Sequence, residues 1–383
     1  MSEDLRAAGV DSGAARPVTR RATLGQVFDP RNNALNAWRL ALAISVILWH
    51  SWSTTGRSIT YKPLEQLIEQ VGVDGFFAIS GFLITASWLR DPRLRDFSIA
   101  RGLRIFPGLW VCLLIIAFVF APLSVWIQGG SVASLMKSSA PIDYVLDNAW
   151  LNVYHAGIDG TLHTNPWPGV WNASIWTLDF EIICYVAVAV LGVVGLLKQR
   201  WVIPAVFVVT LCATAYLSYP IFAMQTIPQM VARFAVMFAA GALIHRYRDV
   251  IPARWSLVAI CVVIVIASGL LANYRVIAAL PLAYAVIVSG SLVRNRRLNL
   301  RNDFSYGMYI YAYPTQQLLV VLGLGALNMY LFFGIATLAT LPLAALSWFV
   351  VEKQAISLKN RLKRKRSPSV GEQTLAPSDR DVG

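Results

Sequence analysis

The feature that most constrains this chain is its succession of apolar runs, about ten of them, each long enough to cross roughly 30 Å of hydrocarbon. They lie near residues 38–56, 71–89, 105–127, 173–197 and 201–219, then 225–244, 255–271, 275–293, 304–323 and 328–351. Backbone inside hydrocarbon has to satisfy its own hydrogen bonds, so these runs are expected to be helices. Only 14% of the 383 residues are charged and 57% are hydrophobic, which excludes an ordinary soluble domain. The expected fold is all-α, a polytopic transmembrane helical bundle.

The net charge of +13 does not by itself point to nucleic acid, because in a membrane protein the distribution of cations decides. With the N-terminus inside, 28 of the 33 Lys and Arg fall on the cytoplasmic side, leaving Arg57, Lys62, Lys137, Arg233 and Arg275. Both termini are therefore expected in the cytoplasm. Residues 1–33 have no apolar signal-peptide core and read as a disordered cytoplasmic tail, followed by a membrane domain over 34–355. The basic tail over 356–383 reads as disordered and as touching anionic lipid. Cys112, Cys184, Cys212 and Cys261 show no C-x-x-C spacing, and the four histidines no H-x-x-x-H pair, so no metal site is expected.

Ionisable residues inside such runs are costly and point to function. In "WRLALAISVILWHSW", Arg39 and His50 are eleven positions apart, so they share one helical face and lie roughly 16 Å apart. Alone, Arg39 reads as a snorkelling interface cation and His50 as a satisfied packing histidine; together they are more specific. "VGVDGFFAISGFLITASWL" supplies Gly72, Gly75 and Gly81 for close helix approach, Asp74 as a helix N-terminal residue and Ser80 as an interhelical hydrogen-bonding group. In "DFSIARGLRIFPGLW", Arg101 and Arg104 stand at i and i+3, suited to phosphate, although topology alone also accounts for them.

"NPWPGVWNASIWTLDFEIICYV" carries Trp176, Asp179 and Glu181. Counted inward from an outer edge at about Ala173, Glu181 lies roughly 12 Å deep. That is level with His50, where a carboxylate would orient the imidazole and stabilise its cation. Arg233 is a candidate partner for an intramembrane carboxylate. Asn172-Ala173-Ser174 matches an N-glycosylation pattern, read here as coincidence. The outer connection 128–172, with Trp150, His155, His163 and Trp167, is expected to cover a binding site.

This ordered series resembles the acyltransferase family 3 membrane proteins, which transfer acyl groups, often acetyl, from coenzyme A to sugars of cell-envelope or secreted glycans. The resemblance covers about 34–355. It rests on the R-x10-H of Arg39 and His50, "GVDGFFAISGFLI", the R-x-x-R of Arg101 and Arg104 before "IFPGLW", and "IWTLDFEIICY". "SYGMYIYAYP" and "SWFVVEK" match more loosely. It implies catalytic roles for His50 and Glu181, and acyl-coenzyme A as a donor co-substrate held by Arg39, Arg101 and Arg104, with no permanently bound cofactor. Asp74, Ser80, Trp176, Asp179 and Arg233 become candidate substrate contacts, the acceptor a carbohydrate or glycolipid, and the location a bacterial inner membrane. The chain departs from the family at Ala312, where S-Y-x-x-Y-L-x-H ends in histidine, and it looks like a standalone member without an SGNH domain. The competing class is a proton-coupled transporter or flippase for a glycolipid, with His50 and Glu181 as its relay.

Overall fold

The computed structural model describes residues 22–151, 156–217, 226–300 and 302–364. The structure is all-helical, and the one strand-like pairing among the described residues is an isolated bridge between Thr23 and Pro252. In chain order the helices are α1 (Leu24–Val27), α2 (Leu35–Thr54), α3 (Lys62–Arg90), α4 (Leu94–Ile115), α5 (Ala121–Ile127), α6 (Val132–Lys137), α7 (Ala140–Asn148) and α8 (Thr177–Val193). They continue as α9 (Val202–Tyr216), α10 (Ile227–Arg246), α11 (Trp255–Ser268), α12 (Arg275–Leu292), α13 (Ser305–Val321), α14 (Met329–Ser347) and α15 (Lys353–Arg364). Each apolar run of the sequence overlaps one of these helices. Among the described residues five helical stretches are long and apolar enough to cross a membrane: Lys62–Arg90, Leu94–Ile127, Ile227–Arg246, Arg275–Leu292 and Met329–Leu358.

The helices alternate in direction, so their ends collect at two poles. At the arginine-rich pole Asn36 donates to the Leu300 carbonyl, Arg246 to that of Lys198, and Ala34 N–H to that of Gly290. At the opposite pole Arg57 reaches the Leu327 carbonyl, Gln66 those of Gly269 and Leu271, and Asn273 that of Thr214. Segment 22–33, expected to belong to a disordered tail, is folded. Leu24 is fully buried, its N–H bonds the Ile251 carbonyl, and Phe28 meets Phe82 edge to face. Residues 1–21 of that tail and 365–383 of the C-terminal tail lie outside the described residues, while 353–364 form α15.

Small residues set the central contacts. A methyl group at Gly81 would overlap the Phe238 backbone of α10, and one at Gly241 the Ala78 backbone of α3, so these two helices touch main chain to main chain. Gly72 and Gly75 make room for the Ser45 and Leu42 side chains of α2.

Asp74 is not at a helix start. Pro63 in the first turn begins α3 three turns earlier, in the polar stretch before the apolar run. Asp74 is therefore interior and completely buried, accepting from Arg275 Nε at 2.6 Å and Tyr274 Oη at 2.5 Å, with Arg233 Nε at 3.5 Å. The expectation of a carboxylate partner for Arg233 holds, and Asp74 is that partner. Removing one member of a buried pair strands the other charge, at a cost of about 3–5 kcal/mol. Asp74→Ala is expected to lower the thermal midpoint of the detergent-solubilised protein sharply, and Arg275→Met to lower it more than Arg233→Met, read by tryptophan-fluorescence melting.

Candidate functional site

At the arginine-rich pole α2, α3, α4, α8 and α13 surround a cavity of about 170 Å³ lined by Arg39, Ser80, Arg101, Arg104, Glu181 and Tyr185. The i, i+3 spacing on α4 turns both Arg101 and Arg104 towards it, as the sequence implied. Two carboxylates that the sequence reading gave no role hold this cluster. Asp303 accepts from Arg39 and, at 2.7 Å, from Arg104, and it also takes the Ser305 hydroxyl at 2.5 Å. Glu352 accepts from Arg104 at 3.1 Å and from the Ser347 hydroxyl at 3.1 Å. A π-helical turn over Trp348–Glu352 brings Ser347 and Glu352, five residues apart, into contact. Arg101 stands apart: its guanidinium lies over the rings of Phe97 and Tyr185, and its buried Nε has no hydrogen-bond partner among the described residues.

A narrower space of about 40 Å³ continues from Arg39 and Glu181 past Val73, Phe76, Thr177 and Tyr309.

His50 sits one turn from the far end of α2, half-buried, its ring edge to face with Tyr313 at 4.9 Å between centroids. Its Nδ1 is buried without a hydrogen-bond partner among the described residues. Glu181 does not reach it. The Glu181 carboxylate accepts from Tyr185 and, at 3.2 Å, from Ser80, and it shares both cavities with Arg39. Arg39 lies eleven residues below His50 on one helix, about 16 Å along its axis. The two proposed catalytic residues therefore occupy different levels.

The reason lies in the segment before α8. The sequence reading started that span at about Ala173, on the outer edge, but residues 156–176 are irregular and descend into the bundle beside α13. Asn165 bonds the Gln317 side chain, Asn172 the Ile310 carbonyl, and Thr177 the Tyr309 hydroxyl. The backbone itself provides a place for Asn172: Pro314 has no N–H to return to Ile310, four residues earlier, so that carbonyl is open to the amide at 2.8 Å. Helix α8 thus begins already deep, and Glu181, one turn on, falls at the arginine level. Asn172 is buried, so the glycosylation pattern is inaccessible.

The remaining candidates separate likewise. Ser80 makes the interhelical bond expected of it, to Glu181. Trp176 packs on Phe180 and Phe234. Asp179 is half-buried in the first turn of α8. Asp74 and Arg233 belong to the buried ion cluster, away from the arginine cavity. His155 lies outside the described residues, Trp171 is fully buried with its indole N–H on Thr161, and Trp167 is exposed. Ala312 is buried in an apolar cluster with Ala43, Ile47 and Phe332.

An all-helical chain with several membrane-length helices and a charged cavity between them is a multi-pass membrane protein with an internal site. It belongs to the acyltransferase 3 family, whose acyltransferase domain matches residues 32–349, and it is accordingly a transferase. It is similar to an "O-acetyl transferase" of Shigella phage Sf6, 26% identical over 347 residues that cover 85% of this chain and 97% of the relative. It is also similar to "Nodulation protein 10" of Rhizobium leguminosarum bv. viciae, 26% identical over 384 residues covering 88% and 96%. No solved structure matches.

The ion pairs divide the arginines into two kinds. Arg104→Met strips Asp303 and Glu352 of a shared partner and is expected to lower the thermal midpoint by several degrees. Arg101→Met breaks no ion pair among the described residues, and the midpoint is expected to stay close to wild type in the same melting assay.

Proposed function

We propose that this acyltransferase moves an acetyl group from acetyl-coenzyme A, entering at the cytoplasm, to a hydroxyl of a cell-envelope or secreted carbohydrate, in the bacterial inner membrane. The observation that carries the reading is the common α2 face of Arg39 and His50, with three arginines around a cavity at one end and an imidazole at the other. Arginine forks suit the phosphates of the donor, and the narrow extension past Phe76 and Tyr309 gives its pantetheine arm room beyond the arginines. The name of the phage relative supports acetyl as the group transferred.

In this reading the arginine-rich pole faces the cytoplasm, about ten spans cross the bilayer, and the acceptor comes from the opposite side beneath the 128–172 segment. The imidazole of His50 takes the proton of the acceptor hydroxyl while that oxygen attacks the thioester carbonyl carbon. The new C–O bond forms, the C–S bond breaks, and the imidazolium returns its proton to the departing thiolate. Glu181 serves at the donor mouth, holding Tyr185 beside Arg101, instead of orienting His50.

Host membrane vesicles fed radiolabelled acetyl-coenzyme A test this, because they contain the acceptor whatever its identity. His50→Ala at matched, folded levels is expected to abolish incorporation; near-normal labelling would sink its role. Arg101→Met and Glu181→Gln are expected to raise the donor KM, Arg101→Met by about tenfold for a lost charge-assisted contact, with kcat little changed. A transporter or flippase would instead move a glycolipid through proteoliposomes without altering it.

A further inference from the structure

Helices α2 and α13 cross at a place where three buried polar atoms go unmet. Tyr313 is 1% exposed and its hydroxyl makes no hydrogen bond; His50, whose ring it meets edge to face, leaves Nδ1 unpaired. One turn further along α13, Gln316 is fully buried. Its Nε2 donates to the Ile47 carbonyl at 2.9 Å and to Ser51 Oγ at 2.8 Å, which fixes the amide and leaves Oε1 without a partner. These absences are among the described residues. Each unpaired buried polar atom costs about 1–3 kcal/mol, and such atoms are rare in folded proteins. The His50 and Tyr313 rings are in contact, and Gln316 bonds Ile47 and Ser51 on the α2 turn that carries His50, so the three atoms form a set that a bound molecule would complete.

The set is also chemically specific. Gln316 Oε1 only accepts, so its complement is a donor such as an alcohol O–H. The Tyr313 hydroxyl donates, so its complement is an acceptor such as a carbonyl oxygen. The His50 imidazole, on the α2 turn that both residues meet, moves a proton. An alcohol and a carbonyl are the two reacting groups of an acyl transfer.

We propose that Tyr313 is a catalytic residue, its hydroxyl donating a hydrogen bond to the carbonyl oxygen of the thioester, and that Gln316 Oε1 receives the acceptor O–H before His50 removes its proton. This rests on the acetyl-transfer reading above. When the acceptor oxygen attacks, the carbonyl π pair moves onto oxygen, and the Tyr313 O–H stabilises that oxyanion until the C–S bond breaks and the pair returns. The sequence resemblance expects a histidine at 312; the chain offers a methyl group there, and the polar group that this turn presents to His50 is the next residue, Tyr313.

Tyr313→Phe tests the assignment, since it keeps the ring and removes only the hydroxyl. In host membrane vesicles with radiolabelled acetyl-coenzyme A, kcat is expected to fall about 100-fold, as for loss of one oxyanion donor, with the donor KM unchanged. A hydroxyl retained for structure would show the opposite pattern, a lower thermal midpoint at normal kcat. Here the midpoint of the purified variant is expected to hold or rise, because an unmet polar atom has gone. Wild-type kcat in Tyr313→Phe, with His50→Ala inactive, overturns this inference and leaves the acetyl-transfer reading standing. Should Tyr313→Phe lose its fold, Gln316→Met gives the second arm: a kcat at wild-type level there overturns the paired site. Absence of labelling by the wild-type protein above a chain-free control overturns the acetyl-transfer reading itself.

Discussion

Burying guanidinium and carboxylate groups among apolar helices is tolerable only where each charge finds its opposite inside the protein, because the surroundings offer no water to replace its hydration. Two such sets organise this bundle. Asp74 ties α3 to α10 and α12 through Arg233 and Arg275. Asp303 and Glu352 tie α2 and α4 to the start of α13 and the end of α14 through Arg39 and Arg104. The first set is closed, its carboxylate engaged by two arginines and a tyrosine. The second borders a cavity and adds Arg101, which makes no salt bridge among the described residues. Similar chemistry thus serves cohesion in one place and leaves a cation available in the other.

In the proposed function, that difference shapes how the arginine cavity receives an anion. Arg39 and Arg104 already hold carboxylates in the geometry a phosphate would adopt, so an incoming phosphate shares or displaces Asp303 at each of them. Among the described residues Arg101 meets aromatic faces and the neighbouring Glu181–Tyr185 pair, and there it gains its contact without breaking an ion pair. In that reading, discrimination for the donor concentrates on Arg101, while Arg39 and Arg104 supply the positive field and keep the helices in register.

How far the sequence revealed this depends on the range of each interaction. Helix positions were legible because apolar periodicity is local, and so were the shared face of Arg39 and His50 and the paired faces of Arg101 and Arg104. The partners of those residues were not. Asp303 lies 264 residues from Arg39, and Glu352 lies 248 from Arg104. No local pattern distinguishes such a carboxylate from a loop acid or a helix-end residue. Depth was misjudged at two helix starts for related reasons. The polar opening of α3 hides three turns of helix before the apolar run, placing Asp74 in the interior. The irregular segment before α8 runs inside the bundle, carrying Glu181 past the level of His50.

The unmet polar atoms make the last distinction. Others occur in the bundle, at Gln70 and Thr85 on α3, Tyr144 on α7 and His245 on α10 for instance. At the crossing of α2 and α13, Tyr313 and Gln316 leave theirs on adjacent turns of α13, against the α2 turn that carries His50 and its unpaired Nδ1. A fold that engages Asp74 with three partners and secures Asp303 with two arginines and a serine has the means to satisfy a tyrosine and a glutamine. Leaving them unsatisfied beside His50 is a local loss of stability, and such losses persist where function requires groups held ready for a ligand. In the proposed reaction the arginine cavity and the His50 crossing are therefore complementary: charge gathers where the donor would be held, and unspent hydrogen bonds gather where its carbonyl would react.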